Sequence, residues 1–443
     1  MAAQQPLISV GILTEKKIEF ELYGEFNSYG MKNNFSGKYS AQLVNDKIVC
    51  TKGVEKTEIS NEIIFEPKET GVDSFLIRDV IIGNKFHWQK KERERFTGSL
   101  KLIKSKNKIV AINILPIEDY LTSVISSEMS AKCPVEALKA HAVISRSWIL
   151  SQFQKSKGQK SKIESNTETE HIKWYDREEH ELFDVCNDDH CQRYHGVTKI
   201  FTSAVSRVIE ETKGIVLMNG KEICDARYSK ACGGISEAFE NTWEPVEHSY
   251  LKPVIDYKYE PENLSLDFSK EKNAVKWISN NVPAFCNTND QTLLSQILVD
   301  FDQSTTDFYR WKLVYSQEEI SKIIAEKSGI DFGEIIDMVP LERGASGRII
   351  KLKICGTKKE LIVGKELEIR KYLSKSHLYS SAFFVEKTNI KNKIPQRFII
   401  TGAGWGHGVG LCQIGAAVMA SQGYKFDEIL LHYFIGVRLK KIY

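Results

Sequence analysis

The sequence predicts an α+β protein, a mixed multi-lobed fold in which a two-helix unit packs on β-rich lobes. Three observations carry this reading. The first is strand-like alternation between turn residues in residues 1–105, as in LISVGIL, KIEFELYG and EIIFEPK. The second is a pair of helical periods between residues 114 and 150. The third is the return of strand patterns from about residue 343, in GRIIKLKICG and QRFIITGAG, before a closing helix QIGAAVMASQGY and a short tail helix FDEILLHYF. Segregated runs of strands and helices are the pattern of α+β folds. The expected domains are a β-rich N-terminal accessory region over 1–105 and a main region over 106–443. Within the latter, 255–340 reads as an inserted helical or mixed lobe.

The helix pair is ILPIEDYLTSVISSEMSAKCPVEALKAHAVISRSWIL. Each helix opens at a proline, Pro116 and Pro134, where a missing N–H costs nothing. Glu118, Asp119 and Glu136 follow in the first turns, where the positive helix end favours acids. In the first helix Ile117, Tyr120, Leu121, Val124 and Ile125 form an apolar stripe whose next position is Glu128. In the second, Val135, Leu138, Ala142, Ile149 and Phe153 form a stripe interrupted by Arg146. A carboxylate and a guanidinium thus stand where core residues are expected, and a buried charge must be paired or neutralised. Two readings follow. Glu128 and Arg146 form a structural ion pair, or Glu128 lines a cleft as a general acid, since desolvation favours a protonated carboxyl.

Beyond the helices, QKSKGQKSKIESNTETE is polar and weakly patterned, a mobile loop. Next comes HELFDVCNDDHCQRYHG, in which His180, Cys186 and Cys191 offer ligands within one short segment, and His190 or His195 is a candidate fourth. Such nitrogen and sulfur sets bind Zn²⁺, and a closed four-ligand site is structural rather than catalytic. In RYSKACGG, Tyr228, Lys230 and Cys232 alternate and share one strand face. Gly233 and Gly234 then permit close backbone approach to a ligand. The loop GAGWGHGVG lacks the third glycine of a dinucleotide loop and the Lys-Ser/Thr of a phosphate loop. Its large residues, Trp405 and His407, suit sugar stacking and a polar contact.

Whole-chain properties exclude several classes. The 443 residues are 42% hydrophobic and 27% charged, enough for a sizeable core. A net charge of +3 makes no electrostatic case for nucleic acid or an anionic membrane. No apolar run approaches the roughly 18 residues of a spanning helix. The start, MAAQQPLISVGILTEKK, shows no signal peptide, which points to a cytoplasmic or mature chain. Nine cysteines, an odd number, suit reduced thiols or a metal site better than a disulfide framework.

Together these segments make the sequence resemble the SpoIID/LytB family of peptidoglycan-active proteins. LPIEDYLTSVISSEM, CPVEALKAHAVISRSW, VCNDDHCQRYHG, RYSKACGGISEAFENTWE, SGRIIKL and GAGWGHGVGLCQIGAAVMASQGY match in the family's order, from about residue 98 to 443. The resemblance implies a lytic transglycosylase, which cuts between N-acetylmuramic acid and N-acetylglucosamine and leaves a 1,6-anhydro end. It implies Glu128 as the catalytic acid/base, with Arg146, Tyr228 and Lys230 beside it. Cys232, Gly233, Gly234, Gln192, Tyr194, Trp405, His407 and Gln413 become substrate-binding candidates. Cys232 departs from the family's usual serine. His180, Cys186 and Cys191 match a zinc site that some members carry. An ordinary glycosidase needs two carboxylates, whereas here the sugar's own C6 hydroxyl replaces water and one suffices. The alternative is a non-catalytic peptidoglycan-binding modulator of the amidase-enhancing kind, with an amidase as partner. The implied substrate, glycan strands or muropeptides, sets the expected location in the cell envelope.

Overall fold

The computed structural model describes residues 4–31, 34–83, 89–154, 164–174, 180–188, 190–198, 203–259, 267–298 and 305–443. The fold is α+β, with mixed sheets and helices between them. The expected mobile loop lies largely outside the described residues, from 155 to 163. The chain divides into two compact units. The first comprises Met1–Ala131, Arg177–Gly214 and Ile442–Tyr443, and the second Lys132–Asp176 and Ile215–Lys441.

Ten strands build most of the first unit: β1 (Leu7–Glu15), β2 (Lys17–Asn27), β3 (Phe35–Val44), β4 (Lys47–Lys52), β5 (Glu55–Ile59), β6 (Glu62–Pro67), β7 (Ser74–Ile82), β8 (Lys90–Thr97), β9 (Ser99–Ser105) and β10 (Lys108–Pro116). With Val185–Cys186 at one edge, the sheet runs β1-β10-β9-β6-β2-β3-β4-β5, and β7 pairs with β2 and β8. Neighbours in the order pair antiparallel, which allows tight turns. Asn45 and Asp46 close β3 onto β4 with φ of 48° and 64°, the left-handed pair that matches strand twist. Alternate side chains, among them Phe20, Phe65, Phe75, Phe96 and Leu100, point inward and are fully buried. Helix α1 (Ile117–Glu128) follows β10 directly and packs on β10 and β1. Its stripe of Ile117, Tyr120, Leu121, Val124 and Ile125 has no exposed surface.

Helix α2 (Val135–Gln154) belongs to the second unit, so the two helices expected to form one unit are divided between two. The reason is where each finds apolar partners. The α2 helix packs on the strand Ile215–Asn219 and on the helices Gln413–Ser421 and Phe426–Tyr433. It is buried on every side from Ala140 to Gln152, not along one stripe, and Phe153 at its end is exposed. A five-stranded sheet orders Glu164–Asn166, Glu170–Lys173, Glu360–Gly364, Ile349–Gly356 and Ile335–Arg343. A three-stranded sheet centres Ile394–Ala403 between Arg310–Ser316 and Phe383–Lys391. Trp311, Ile320, Ile349, Leu352, Phe398 and Ile400 join their cores. Helices Glu271–Ser279, Gln291–Ile297 and Gln317–Ser328 lie within 255–340. The last is set by a Ser316/Glu319 capping box and ends at left-handed Gly329.

Candidate functional site

Glu128 is the final residue of α1, half-buried one turn beyond the packed stripe. Its Oε1 accepts the backbone N–H of Arg193 at 2.9 Å, which orients the carboxyl. Gln192, next to that donor, is buried, and its Oε1 accepts from the Tyr120 hydroxyl at 3.1 Å. Among the described residues its Nε2 has no partner. A buried orphan donor is costly in a protein interior and is commonly kept for a ligand. Gln192 thus carries a buried donor beside the backbone bond that holds Glu128. Tyr194 is instead paired within the protein. Its ring stacks on Phe96 and Tyr120, and its hydroxyl donates to Asn113 at 2.5 Å in a buried pocket. Burial raises the Tyr120 and Tyr194 hydroxyls well above the usual phenol range, so both stay protonated donors.

The segment that carries Arg193 also carries the Cys/His cluster. Ligand atoms of His180, Cys186, His190 and Cys191 all lie within 4.8 Å of one another. The Cys191 sulfur is 3.5 Å from both His180 Nε2 and His190 Nδ1, and the Cys186 sulfur is 3.8 Å from His190 Nδ1. His195, the other candidate fourth ligand, lies elsewhere: its Nδ1 meets buried Glu94 at 2.6 Å. Two thiols and two imidazoles at this separation have the donor chemistry and spacing of a tetrahedral zinc centre. Cys186 is pushed up to about 11 by its hydrogen bond with Cys191 and then by burial, so a metal must displace its proton.

The remaining expected residues lie in the second unit. Arg146 is fully buried, and its Nη1 donates to the carbonyls of Ile215 at 3.0 Å and Ala142 at 3.5 Å. These bonds fasten α2 to the strand Ile215–Asn219. Tyr228 and Lys230 are half-buried. The Tyr228 ring meets His141 edge-on at 4.6 Å. His141 Nε2 lies 3.3 Å from buried Gln413 Nε2, and its Nδ1 lies 3.4 Å from Ser145 Oγ. Burial first, and then the Lys230 charge, pull His141 down to about 3, which keeps it neutral. His141 was missed in the sequence because it lies off the apolar stripe, on a face of α2 that is buried as well.

Three further expectations are corrected. Cys232 is 3% exposed and faces other sulfur atoms rather than a groove, because the strand there spans only Tyr228–Ser229 before the chain turns inward. Gly233 and Gly234 approach protein, not a ligand. A Cβ on Gly233 would meet Gly404 N at 2.8 Å, and one on Gly234 would meet the Trp277 ring at 2.7 Å. Trp405 is half-buried with Tyr379 stacked on it at 4.2 Å and Phe308 tilted at 4.8 Å. The surrounding loop alternates left-handed glycines, Gly404, Gly406, Gly408 and Gly410, which only glycine adopts freely. Arg348, also missed, holds this loop: Nη2 donates to Gly406 O, and Nη1 to Cys232 O and Ser346 Oγ. His407 accepts Val409 N–H on Nδ1 at 3.0 Å. Burial, with Arg227 and Arg348 nearby, holds it well below the usual imidazole range, so it is neutral.

Residues 105–219 match the Stage II sporulation protein family, SpoIID, and residues 237–410 match a family described as a domain of unknown function (DUF8618). An uncharacterized protein of Brachyspira hyodysenteriae is 25% identical over 98% of this chain and 93% of its own. Stage II sporulation protein D of Bacillus amyloliquefaciens is 22% identical over 75% of this chain and 76% of its own. The amidase enhancer of Bacillus subtilis is 24% identical over 72% of this chain, which spans 40% of that relative. Residues 105–219 are thus similar to the SpoIID family, and the named relatives point the same way. Glu128, Arg146 and the Cys/His segment all fall within the SpoIID match.

Proposed function

We propose that the protein is a peptidoglycan lytic transglycosylase with Glu128 as its single acid/base. A cell-wall-related role is what the family of its SpoIID domain supports. The observation that carries the finer reading is the setting of Glu128: half-buried at the end of a packed helix, one oxygen held by Arg193 N–H, beside the orphan donor of Gln192. With Oε1 held by the Arg193 N–H, Oε2 is the oxygen left to exchange a proton with the sugar. Glu128 gives that proton to the glycosidic oxygen as the bond to muramic acid C1 breaks. As carboxylate it then takes the proton from the sugar's C6 hydroxyl as O6 closes on C1. The product is a 1,6-anhydro ring, and no water is consumed. Gln192 donates to a sugar oxygen or N-acetyl carbonyl. Such a substrate puts the work in the cell envelope. Among the described residues no helix is long and apolar enough to cross a membrane.

The Cys/His cluster fits a zinc ion held by His180, Cys186, His190 and Cys191. All four positions come from protein, so the metal is structural. It would fix the segment that presents Gln192 and Arg193 to the site.

Digestion of peptide-free glycan strands tests the reading. Wild type is expected to release 1,6-anhydromuramyl ends, seen by mass spectrometry, and Glu128→Gln is expected to release almost none. Equal product from both removes Glu128 from the chemistry. The relative named amidase enhancer supports a second reading, a glycan-binding modulator of an amidase. Sugar binding without cleavage by either protein would select it.

A further inference from the structure

A second set of side chains able to ligate a metal lies in the other compact unit, and of its members the family pattern touches only Cys232, at a position where the family usually has serine. Ligand atoms of Cys232, Asp256, Cys286 and Cys412 lie within 4.8 Å of one another, and all four residues are buried. They come from four separate segments, with Cys232 and Cys412 lying 180 residues apart. We infer that Cys232, Asp256, Cys286 and Cys412 form a closed zinc-type site that staples the second unit.

The geometry supports a metal over a chance meeting of thiols. A tetrahedral zinc with Zn–S bonds of about 2.3 Å separates its sulfurs by about 3.8 Å. The Cys232 and Cys286 sulfurs are 3.7 Å apart. The surroundings are those of an anionic ligand set. Cys412 Sγ accepts the N–H of Cys232 at 3.2 Å and of Gly415 at 3.4 Å. Cys232 Sγ accepts Gly234 N–H at 3.4 Å. Asp256 accepts Cys286 N–H on Oδ2 at 2.9 Å and the Tyr433 hydroxyl on Oδ1 at 2.5 Å. Donors aimed at ligand atoms orient them and offset the net negative charge of three thiolates and a carboxylate around a dication. Arg310, half-buried nearby, adds a cation, and its Nη1 donates to Gly233 O. Three sulfurs and one oxygen select a borderline-soft ion such as Zn²⁺ over Mg²⁺ or Ca²⁺. With four protein ligands no position is open for substrate, so the role is structural. Uptake replaces each thiol S–H by an S–Zn bond and releases the protons to solvent.

The inference does not depend on the proposed activity or on the Cys/His cluster, and one measurement separates them. The full-length chain is produced with Co²⁺ in place of zinc. Cobalt per chain and thiolate-to-cobalt charge-transfer absorption are then read together. If both clusters bind, two cobalt ions and five thiolate bonds are expected, two from Cys186 and Cys191 and three from this site. If only this site binds, one ion carries the absorption of three. One ion with the absorption of two, or none, overturns the inference. So does a Cys232–Cys286 disulfide found by non-reducing mass spectrometry of the native chain. Cys286→Ala, checked for folding by circular dichroism, is expected to lose one ion and the three-thiolate band, while Cys50→Ser keeps both.

Discussion

The two cysteine clusters differ in how they are built. His180, Cys186, His190 and Cys191 sit within twelve residues of one half-exposed segment, so local spacing brings them together. Cys232, Asp256, Cys286 and Cys412 are scattered along the second unit and meet in its interior. A local cluster constrains a loop, and its loss frees that loop. A long-range buried cluster constrains the connectivity of a core, and its loss removes support from every segment it joins. The first unit therefore has its thiols and imidazoles in one local segment beside Glu128, and the second gathers its thiols from distant segments.

The largest expected effect belongs to the first unit and to activity alone. Glu128→Gln should lower glycan cleavage by about 10²–10⁴-fold, the usual contribution of a general acid/base. Thermal unfolding should barely change, because the side chain is half-buried with a single backbone bond. A large stability loss instead would make Glu128 a structural residue. The second unit should show the reverse. Cys286→Ser is expected to destabilise it by about 4 kcal/mol, the scale of losing a buried metal site, measured by denaturant unfolding. A loss no larger than that of Cys191→Ser would erase the contrast between the clusters.

Cys191→Ser should act mainly through position. Loosening the segment that carries Arg193 is expected to cost about 10–100-fold in cleavage, as for other partners that orient a site. Brief chelation of the wild type should do the same while leaving the buried ion in place, and metal analysis after chelation checks that order. The smallest effect is a pH slope. His141 is neutral in the fold, at about 3, against 6.5 when exposed. Below pH 6.5 the unfolded chain binds a proton that the fold refuses, so stability falls as pH falls, by up to about 1.4 kcal/mol per unit. Stability against pH should be flatter in His141→Gln. His377, held at about 4 by burial, contributes a similar slope that the variant keeps.

Local order was legible in the sequence. Period-two alternation placed the strands of the first sheet, and a three-to-four residue period placed α1 with Glu128 just beyond its buried stripe. The spacing of His180, Cys186 and Cys191 announced a ligand cluster because those residues are neighbours in the chain. Only the tertiary structure decided the rest. It brought His190 beside the thiols and left His195 with Glu94, which arrives from a distant strand. It set Arg146 against the carbonyls of Ala142 and Ile215, and turned Cys232 inward to meet Cys286 and Cys412. Periodicity reports which face of an element is buried, but not against what. Partners tens to hundreds of residues away are set by packing, and they decide whether a buried polar group is chemistry or support.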